Sequence, residues 1–181
     1  MKVINFIGAP GAGKSTAAAG LYYIMKKLYM SVELTTEYAK EHAYAQTGHL
    51  LADQVKVLGE QHHRLFRLKN VDWVITDCPL LLSTIYEPED YPKSFRPFVL
   101  DLFKSYDNII YFIERNHPYD PDGRFQTESE SDIKATEIKL FLDQNNIQYK
   151  TFKSGDGTPS LILNDLIENG LIIPDKSYLI P

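Results

Sequence analysis

Cysteine, excess positive charge and long apolar runs are scarce or absent in this chain. The single cysteine, Cys78, excludes an intrachain disulfide and a metal site built from cysteines. Lys and Arg number 19 against 24 Asp and Glu, and the net charge of −5 argues against a broad basic face that wraps duplex DNA. No apolar run approaches the roughly 20 residues that cross a bilayer, and the apolar start of the chain meets glycine too early for a signal peptide. We therefore expect a soluble protein of a reducing compartment, the cytoplasm.

Short apolar runs alternate with amphipathic stretches along the 181 residues. The apolar runs that predict buried strands are 3–7, 31–36, 71–76, 109–113 and 147–152. Helical spacing predicts helices over 14–29, 50–69 and 128–144, with others starting at the predicted N-caps Ser94 and Thr158. This alternation predicts a three-layer α/β fold, in which a parallel five-stranded sheet carries helices on both faces. We expect one domain over residues 1–181.

A glycine-rich segment follows the first apolar run. It fits the pattern G-x-x-x-x-G-K-[ST], in which glycines let successive backbone N–H groups turn inward around an anion. Lys14 would reach the β and γ phosphates, the Ser15 hydroxyl would bind Mg²⁺, and the following helix adds the positive end of its dipole. The residues predicted to bind the nucleotide are Gly8, Ala9, Pro10, Gly11, Ala12, Gly13, Lys14, Ser15 and Thr16. The sequence therefore predicts a P-loop that binds a nucleoside triphosphate with Mg²⁺.

Asp77 ends the apolar run 71–76, where a second acidic group would hold Mg²⁺ through water. Capping a following helix is an alternative role, and the two roles are compatible. Cys78 stands where motor ATPases generally have a water-activating Glu, and Leu80 stands where the D-x-x-G switch of GTPases has glycine. Phosphoryl transfer to an acceptor other than water is therefore favoured, which predicts a kinase.

Four segments together resemble the nicotinamide-riboside-kinase-like P-loop ATPases, and are most similar to small stand-alone members from bacteriophage genomes. These segments are Phe6–Thr16, Thr36–Glu41, Val74–Pro79 and Asp122–Arg124. The resemblance implies a cytoplasmic kinase, of the host cytoplasm if phage-encoded, that uses Mg-ATP on a nucleoside- or nucleotide-like acceptor. The family usually has Arg where this chain has Lys40, and lysine cannot make a bidentate phosphate contact.

Two alternatives stay open at this point. Some related phage kinases act on a hydroxymethylated pyrimidine in DNA, and such a reading needs a local basic groove. Its candidate residues are Lys26, Lys27, Lys40, Arg64, Arg67 and Lys69. The other alternative is a nucleotide-dependent switch or accessory ATPase, which needs an exposed apolar patch. The apolar segments 171–174 and 179–181 would supply one, but we expect this tail to dock on the chain's own core.

Glu37 lies just beyond the second predicted strand, at the end where parallel α/β sheets gather their ligands. A carboxylate there would orient or deprotonate an acceptor hydroxyl, and the alternative is a solvated glutamate in the first turn of a helix. The acceptor side is expected over residues 36–69. Within it, Gln54, Gln61 and Arg64 form a polar stripe that we expect to be a solvated helix face rather than a base-reading one.

The polar segment 116–131 interrupts the periodic pattern, and we expect a lid over residues 115–131. Closure of such a lid would bring Arg115 and Arg124 onto the transferring phosphate and exclude water. The alternative is two arginines in a solvated surface loop. The catalytic candidates are therefore Lys14, Glu37, Asp77, Arg115 and Arg124, and the Mg²⁺ candidates are Ser15 and Asp77.

Overall fold

Five parallel strands form the centre of the molecule in the computed structural model, which describes residues 1–173. The strands are β1 Lys2–Ile7, β2 Val32–Thr35, β3 Trp73–Thr76, β4 Asp107–Glu114 and β5 Lys150–Lys153, in the order β2-β3-β1-β4-β5. Register is fixed at the centre by Ile4, which lies opposite Ile75 on one side and Ile109 on the other. The inner strands are apolar on both faces because helices cover both faces.

Seven α-helices and one 3₁₀ helix connect the strands within the described residues. They are α1 Lys14–Lys27, α2 Tyr38–Tyr44, the 3₁₀ helix Gly48–Ala52, α3 Gln54–Phe66, α4 Leu82–Ile85, α5 Phe95–Lys104, α6 Glu128–Gln144 and α7 Thr158–Glu168. Helices α1 and α7 pack on one face of the sheet, where Leu21, Met25 and Leu166 are buried. Helices α3 to α6 pack on the other, with Val99 and Leu142 at its centre. The predicted three-layer α/β fold is confirmed.

The helix predicted over 50–69 divides at Asp53. Its carboxylate accepts a hydrogen bond from the backbone N–H of Lys56 at 3.1 Å and so caps α3 after the 3₁₀ helix. Thr158 was expected to be an N-cap, but Gly157 occupies that position and the Thr158 hydroxyl donates to the Lys153 carbonyl at 2.7 Å. Helix α2 was not predicted because its sequence, YAKEHAY, has no apolar periodicity.

At the end of the described chain, Ile172 is buried in the layer of α1 and α7, whereas Ile173 is exposed. The remainder of the two apolar segments considered as a docking patch, residues 174 and 179–181, lies outside the described residues. Across residues 1–173, no helix combines the length and the apolar character needed to cross a membrane.

The carboxyl ends of the strands lie along one edge of the sheet and carry the residues of interest. Gly8 follows β1, Asp77 follows β3, and Glu37 stands two residues beyond the end of β2. Arg115 follows β4 and begins the irregular segment 115–127, which ends where α6 begins. We call residues 115–127 the lid segment. A ligand site at this edge is the usual arrangement in parallel α/β sheets.

Candidate active site

At Gly8 and Gly13, the glycine-rich loop between β1 and α1 has a backbone that only glycine accommodates. A Cβ atom at Gly8 would lie 2.5 Å from the Ile113 carbonyl oxygen, inside van der Waals contact. Gly13 has a φ of +88°, in the left-handed region, and a Cβ there would lie 3.0 Å from the Ser154 Cβ. Among residues 1–173, no side chain caps α1 at Gly13, and the first turn of α1 holds no acidic residue. The N–H groups at the start of α1 are therefore free to bind an anion.

Lys14 lies across this loop. Its side chain is buried, and its ammonium group donates to the carbonyl oxygens of Gly8 at 3.0 Å and Ala9 at 2.9 Å. The loop thus surrounds the positive charge of Lys14. A bound triphosphate would be met by this ammonium together with the N–H groups of the loop.

Asp77 places a carboxylate next to the cleft. Cys78, the following residue, lines the cleft, and Asp77 itself does not. The Asp77 side chain is only 3% exposed, and its Oδ1 atom has no hydrogen-bond partner among residues 1–173. Burial of an unpartnered carboxylate oxygen is costly unless another group satisfies it. A hydroxyl from Ser15 and this carboxylate are oxygen donors of the kind that Mg²⁺ takes in nucleotide sites, so these residues fit the ion.

Glu37 is the second carboxylate of the site. Burial raises its pKa, the positive charge of Lys14 opposes this increase, and the negative charge of Asp77 adds to it. The carboxyl group still reaches the cleft, whose wall it helps to form. A partly desolvated carboxylate with a raised pKa is a stronger base than a solvated one.

The cleft itself has a volume of about 530 Å³. The P-loop forms one wall, and residues 120 and 122–126 of the lid segment form another. The third wall comes from the acceptor-side region and α4, through Glu37, Ala39, Lys40, Tyr44, Gly48, Leu51, Gln54, Val57, Gln61, Leu82, Ser83 and Tyr86. Donor and acceptor sites of a transfer reaction would therefore share one cleft.

The lid segment contacts the P-loop at Gly11. A Cβ atom at Gly11 would lie 2.8 Å from the Tyr119 ring and 3.2 Å from Arg124 Nε. The Arg124 guanidinium donates to the carbonyl oxygens of Asp120 and Asp122 in its own turn, the latter at 3.1 Å. Arg124 is thus held beside the phosphate-binding loop and lines the cleft.

The same lid segment contacts the acceptor side through two aromatic–glycine pairs. Phe125 lies against Gly48, where a Cβ would meet the ring at 2.5 Å. Tyr44 lies against Gly123, which has a φ of +69° and would bring a Cβ within 2.8 Å of the Tyr44 ring. These contacts join residues far apart in the chain, and no local pattern in the sequence indicates them.

Arg115 lies on the α6 side of the lid segment, 5.1 Å from the centroid of the Tyr119 ring, and Arg124 lies 5.8 Å from the same centroid. The Arg115 guanidinium pairs with Asp132 at 2.5 Å and Glu128 at 3.1 Å, at the start of α6. It lines a second cavity of about 330 Å³ between β4 and α6, and it does not line the cleft. The structure thus brings Lys14, Glu37 and Arg124 to one cleft with Asp77 beside it, and it holds Arg115 outside.

The expectation of a solvated face on α3 is wrong for Gln54 and Gln61, which are 4% and 1% exposed and line the cleft. Gln61 accepts from the Tyr38 backbone N–H at 3.3 Å and donates to the Thr76 hydroxyl at 3.4 Å. Gln54 donates from its amide to the Leu51 carbonyl at 2.7 Å. A signal existed in the sequence, because both glutamines share helical spacing with buried leucines of α3, Leu58 and Leu65.

Arg64, the third member of the stripe, is held away from the cleft. Its guanidinium donates to the Thr36 carbonyl at 2.9 Å and pairs with Glu41 at 2.7 Å. It also lies 5.4 Å from the centroid of the Tyr38 ring. Its role in this structure is to fasten α3 to the segment that carries Glu37.

The sheet order, the parallel strands and the glycine-rich loop before α1 define a P-loop nucleotide-binding domain. The sequence profile of a family described as an AAA domain matches residues 3–158, and the chain belongs to this family. No curated protein matches the chain.

Solved structures with the same fold include two nucleotide-metabolising kinases. Deoxyadenosine kinase from M. mycoides, with the products dCMP and a flexible dCDP bound, is 20% identical at a TM-score of 0.56, over 93% of this chain and 100% of that one. The same kinase with dATP bound is 20% identical at a TM-score of 0.55, over 92% and 100% of the two chains. Thymidylate kinase from Ehrlichia chaffeensis is 16% identical at a TM-score of 0.61, over 92% and 98%. These likenesses confirm the fold predicted from the sequence.

Proposed function

We propose that the protein is an ATP-dependent kinase of the nicotinamide-riboside-kinase-like type, which transfers the γ-phosphate of Mg-ATP to a nucleoside- or nucleotide-like acceptor. One observation carries the proposal: Glu37 and Lys14 line one cleft of about 530 Å³, and its far wall is a separate surface of mixed apolar and polar side chains. A triphosphate on the P-loop leaves that far wall for a second molecule. The kinase structures of the same fold are consistent with this use.

In this proposal the triphosphate lies on Gly8–Thr16, with Ser15 and Asp77 holding Mg²⁺. The ion, when bound, neutralises charge on the β and γ oxygens. The acceptor oxygen forms a bond to the γ-phosphorus as the bond from that phosphorus to the β,γ-bridging oxygen breaks, and ADP leaves. Glu37 takes the proton of the acceptor hydroxyl, while Lys14 and Arg124 stabilise the charge on the transferring group.

The charges in the cleft favour a neutral nucleoside over a nucleoside monophosphate as acceptor. Among the described residues, the cations that line the cleft are Lys14, Lys40 and Arg124. Two of them are assigned to the triphosphate, which leaves Lys40 alone for an acceptor phosphate. The acceptor wall offers the apolar Leu51 and Leu82 instead. A phosphate dianion is usually held by arginine forks, and this wall has none.

The DNA alternative has weaker support. Two of its candidate residues are neutralised, Lys26 by Glu33 at 2.8 Å and Arg64 by Glu41 at 2.7 Å. A groove that binds phosphate backbone needs several free cations.

The test uses γ-labelled ATP and Mg²⁺ with a panel of nucleosides, nucleoside monophosphates, nicotinamide riboside, and plain and hydroxymethylated DNA. We expect label in a nucleoside with wild type, loss of that label with Lys14→Ala, and full activity with the control Lys104→Ala, which changes an exposed lysine of α5 outside the cleft. Label found only as free phosphate, or in no acceptor, would contradict the kinase proposal and favour the switch alternative.

A further inference from the structure

Tyr86 directly follows α4 and belongs to a segment to which the sequence pattern assigned no role. Its ring packs against the core layer formed by α3 to α6, and its side chain also lines the cleft. No side chain or backbone group of residues 1–173 forms a hydrogen bond with its hydroxyl. A tyrosine hydroxyl near the interior usually has a partner, so this group is available to a molecule in the cleft.

The backbone that carries Tyr86 is fixed on both sides. Its N–H donates to the Leu82 carbonyl at 3.2 Å and closes α4. Arg96 of α5 donates to the Thr84 carbonyl at 3.3 Å and, through Nε, to the Glu87 carboxylate at 2.8 Å. One arginine thus ties down the residues before and after Tyr86. A polar group held in this way loses little conformational entropy when it binds a ligand.

The ring is held from α6 as well. The Lys134 ammonium lies 5.1 Å from the ring centroid, within the range of a cation–π contact, and itself pairs with Glu137 at 2.5 Å. Burial raises the pKa of Tyr86 far above its ordinary value, and the negative charge of Glu37 adds to the increase. The phenol therefore keeps its proton at neutral pH and can donate a hydrogen bond.

We propose that the Tyr86 hydroxyl donates a hydrogen bond to an oxygen of the acceptor while Glu37 accepts one from the hydroxyl that is phosphorylated. This inference rests on the proposed kinase function and deepens it, because it requires an acceptor with one oxygen for each of these two side chains. A sugar ring presents such a pair. Tyr86 is then an acceptor-binding residue that selects which hydroxyl faces Glu37.

The first measurement is calorimetric binding of nucleosides to the full chain, with Mg²⁺ and a non-hydrolysable ATP analogue present. Tyr86→Phe keeps the ring in its packing and removes only the hydroxyl. We expect about fivefold to tenfold weaker nucleoside binding than in wild type, as for the loss of one neutral hydrogen bond. The matched control Tyr106→Phe changes a half-buried tyrosine outside the cleft and should bind like wild type. Affinity for the ATP analogue should be unchanged in both variants and serves as the check on folding.

The second measurement pairs the variant with nucleosides that each lack one sugar hydroxyl. For wild type, removal of the oxygen that Tyr86 contacts should weaken binding as much as Tyr86→Phe weakens binding of the parent nucleoside. Tyr86→Phe should bind that one deoxy analogue and the parent equally well, which identifies the contacted oxygen.

Two results would overturn the inference, and they differ from each other. If Tyr86→Phe and wild type bind the parent nucleoside equally tightly, the role of Tyr86 fails and the kinase proposal stands. If wild type binds the ATP analogue but no nucleoside, the proposed function fails and the role of Tyr86 fails with it.

Discussion

At Glu37, burial raises the pKa of the carboxyl group and outweighs the opposing effect of the positive charges of Lys14, Lys40 and Arg124. Because a general base works only when unprotonated, transfer should increase with pH through an apparent pKa above the ordinary range of glutamate. The charge of Lys14 lowers the pH at which the rate rises, and the charge of Asp77 raises that pH.

The corresponding variant is Glu37→Gln, which keeps the shape of the side chain and removes the proposed base. We expect kcat to fall about 10²–10⁴-fold with little change in affinity for ATP, since positioned proton transfer is typically worth that much. The acidic limb of the pH–rate profile should also disappear. The control Glu60→Gln alters an exposed glutamate of α3 and should leave both the rate and the profile as in wild type. An unchanged acidic limb in Glu37→Gln would show that another group is the base.

At the scale of the elements, the lid segment contacts α2 through Gly123, which lies against Tyr44. Gly123→Ala places a methyl group against the Tyr44 ring and imposes a left-handed φ on alanine. We expect a reduced kcat with a nearly unchanged melting temperature, because the strain falls on a lid rather than on the core. Steady-state kinetics and thermal melting together check this.

Gly59→Ala is the matched control for that experiment. Gly59 lies inside α3 with nothing within 4 Å of an added Cβ and with no positive φ. Alanine is a better helix former there by about 1 kcal/mol, so the melting temperature should rise while kcat stays the same. If Gly123→Ala behaved in the same way, the contact between the lid segment and Tyr44 would have no role in activity.

The elements also show what the sequence could reveal. Strands β1, β3 and β4 and the P-loop were predicted because apolar runs and glycine spacing are local signals. An acceptor side was expected over residues 36–69, but helix α2 was not predicted because it has no apolar stripe. The burial of Gln61 was also missed, because it depends on Thr76, a partner from another strand. The position of Arg115 could not be predicted either, because it depends on ion pairs with Glu128 and Asp132 of α6.

For the molecule as a whole, binding of Mg-ATP should raise the free energy of unfolding. Wild type is expected to melt at a higher temperature in Mg-ATP, with about 2.7 kcal/mol of stabilisation at 100 times Kd. Lys14→Ala should lose most of this increase, since its ammonium no longer meets the phosphates. Differential scanning calorimetry over a range of Mg-ATP concentrations measures the effect. An equal increase in wild type and Lys14→Ala would mean that nucleotide binds outside the P-loop.

The lid segment touches the P-loop at Gly11 and the acceptor side at Gly48 and Tyr44. A single stretch of chain therefore lines the places proposed for both substrates. In the kinase proposal, a substrate that shifts the lid segment toward the position favoured by the other substrate strengthens the binding of that second substrate. Thermodynamic reciprocity requires the enhancement to be the same in either order of addition. In the kinase proposal, ATP and the acceptor are therefore expected to show heterotropic cooperativity within a single chain.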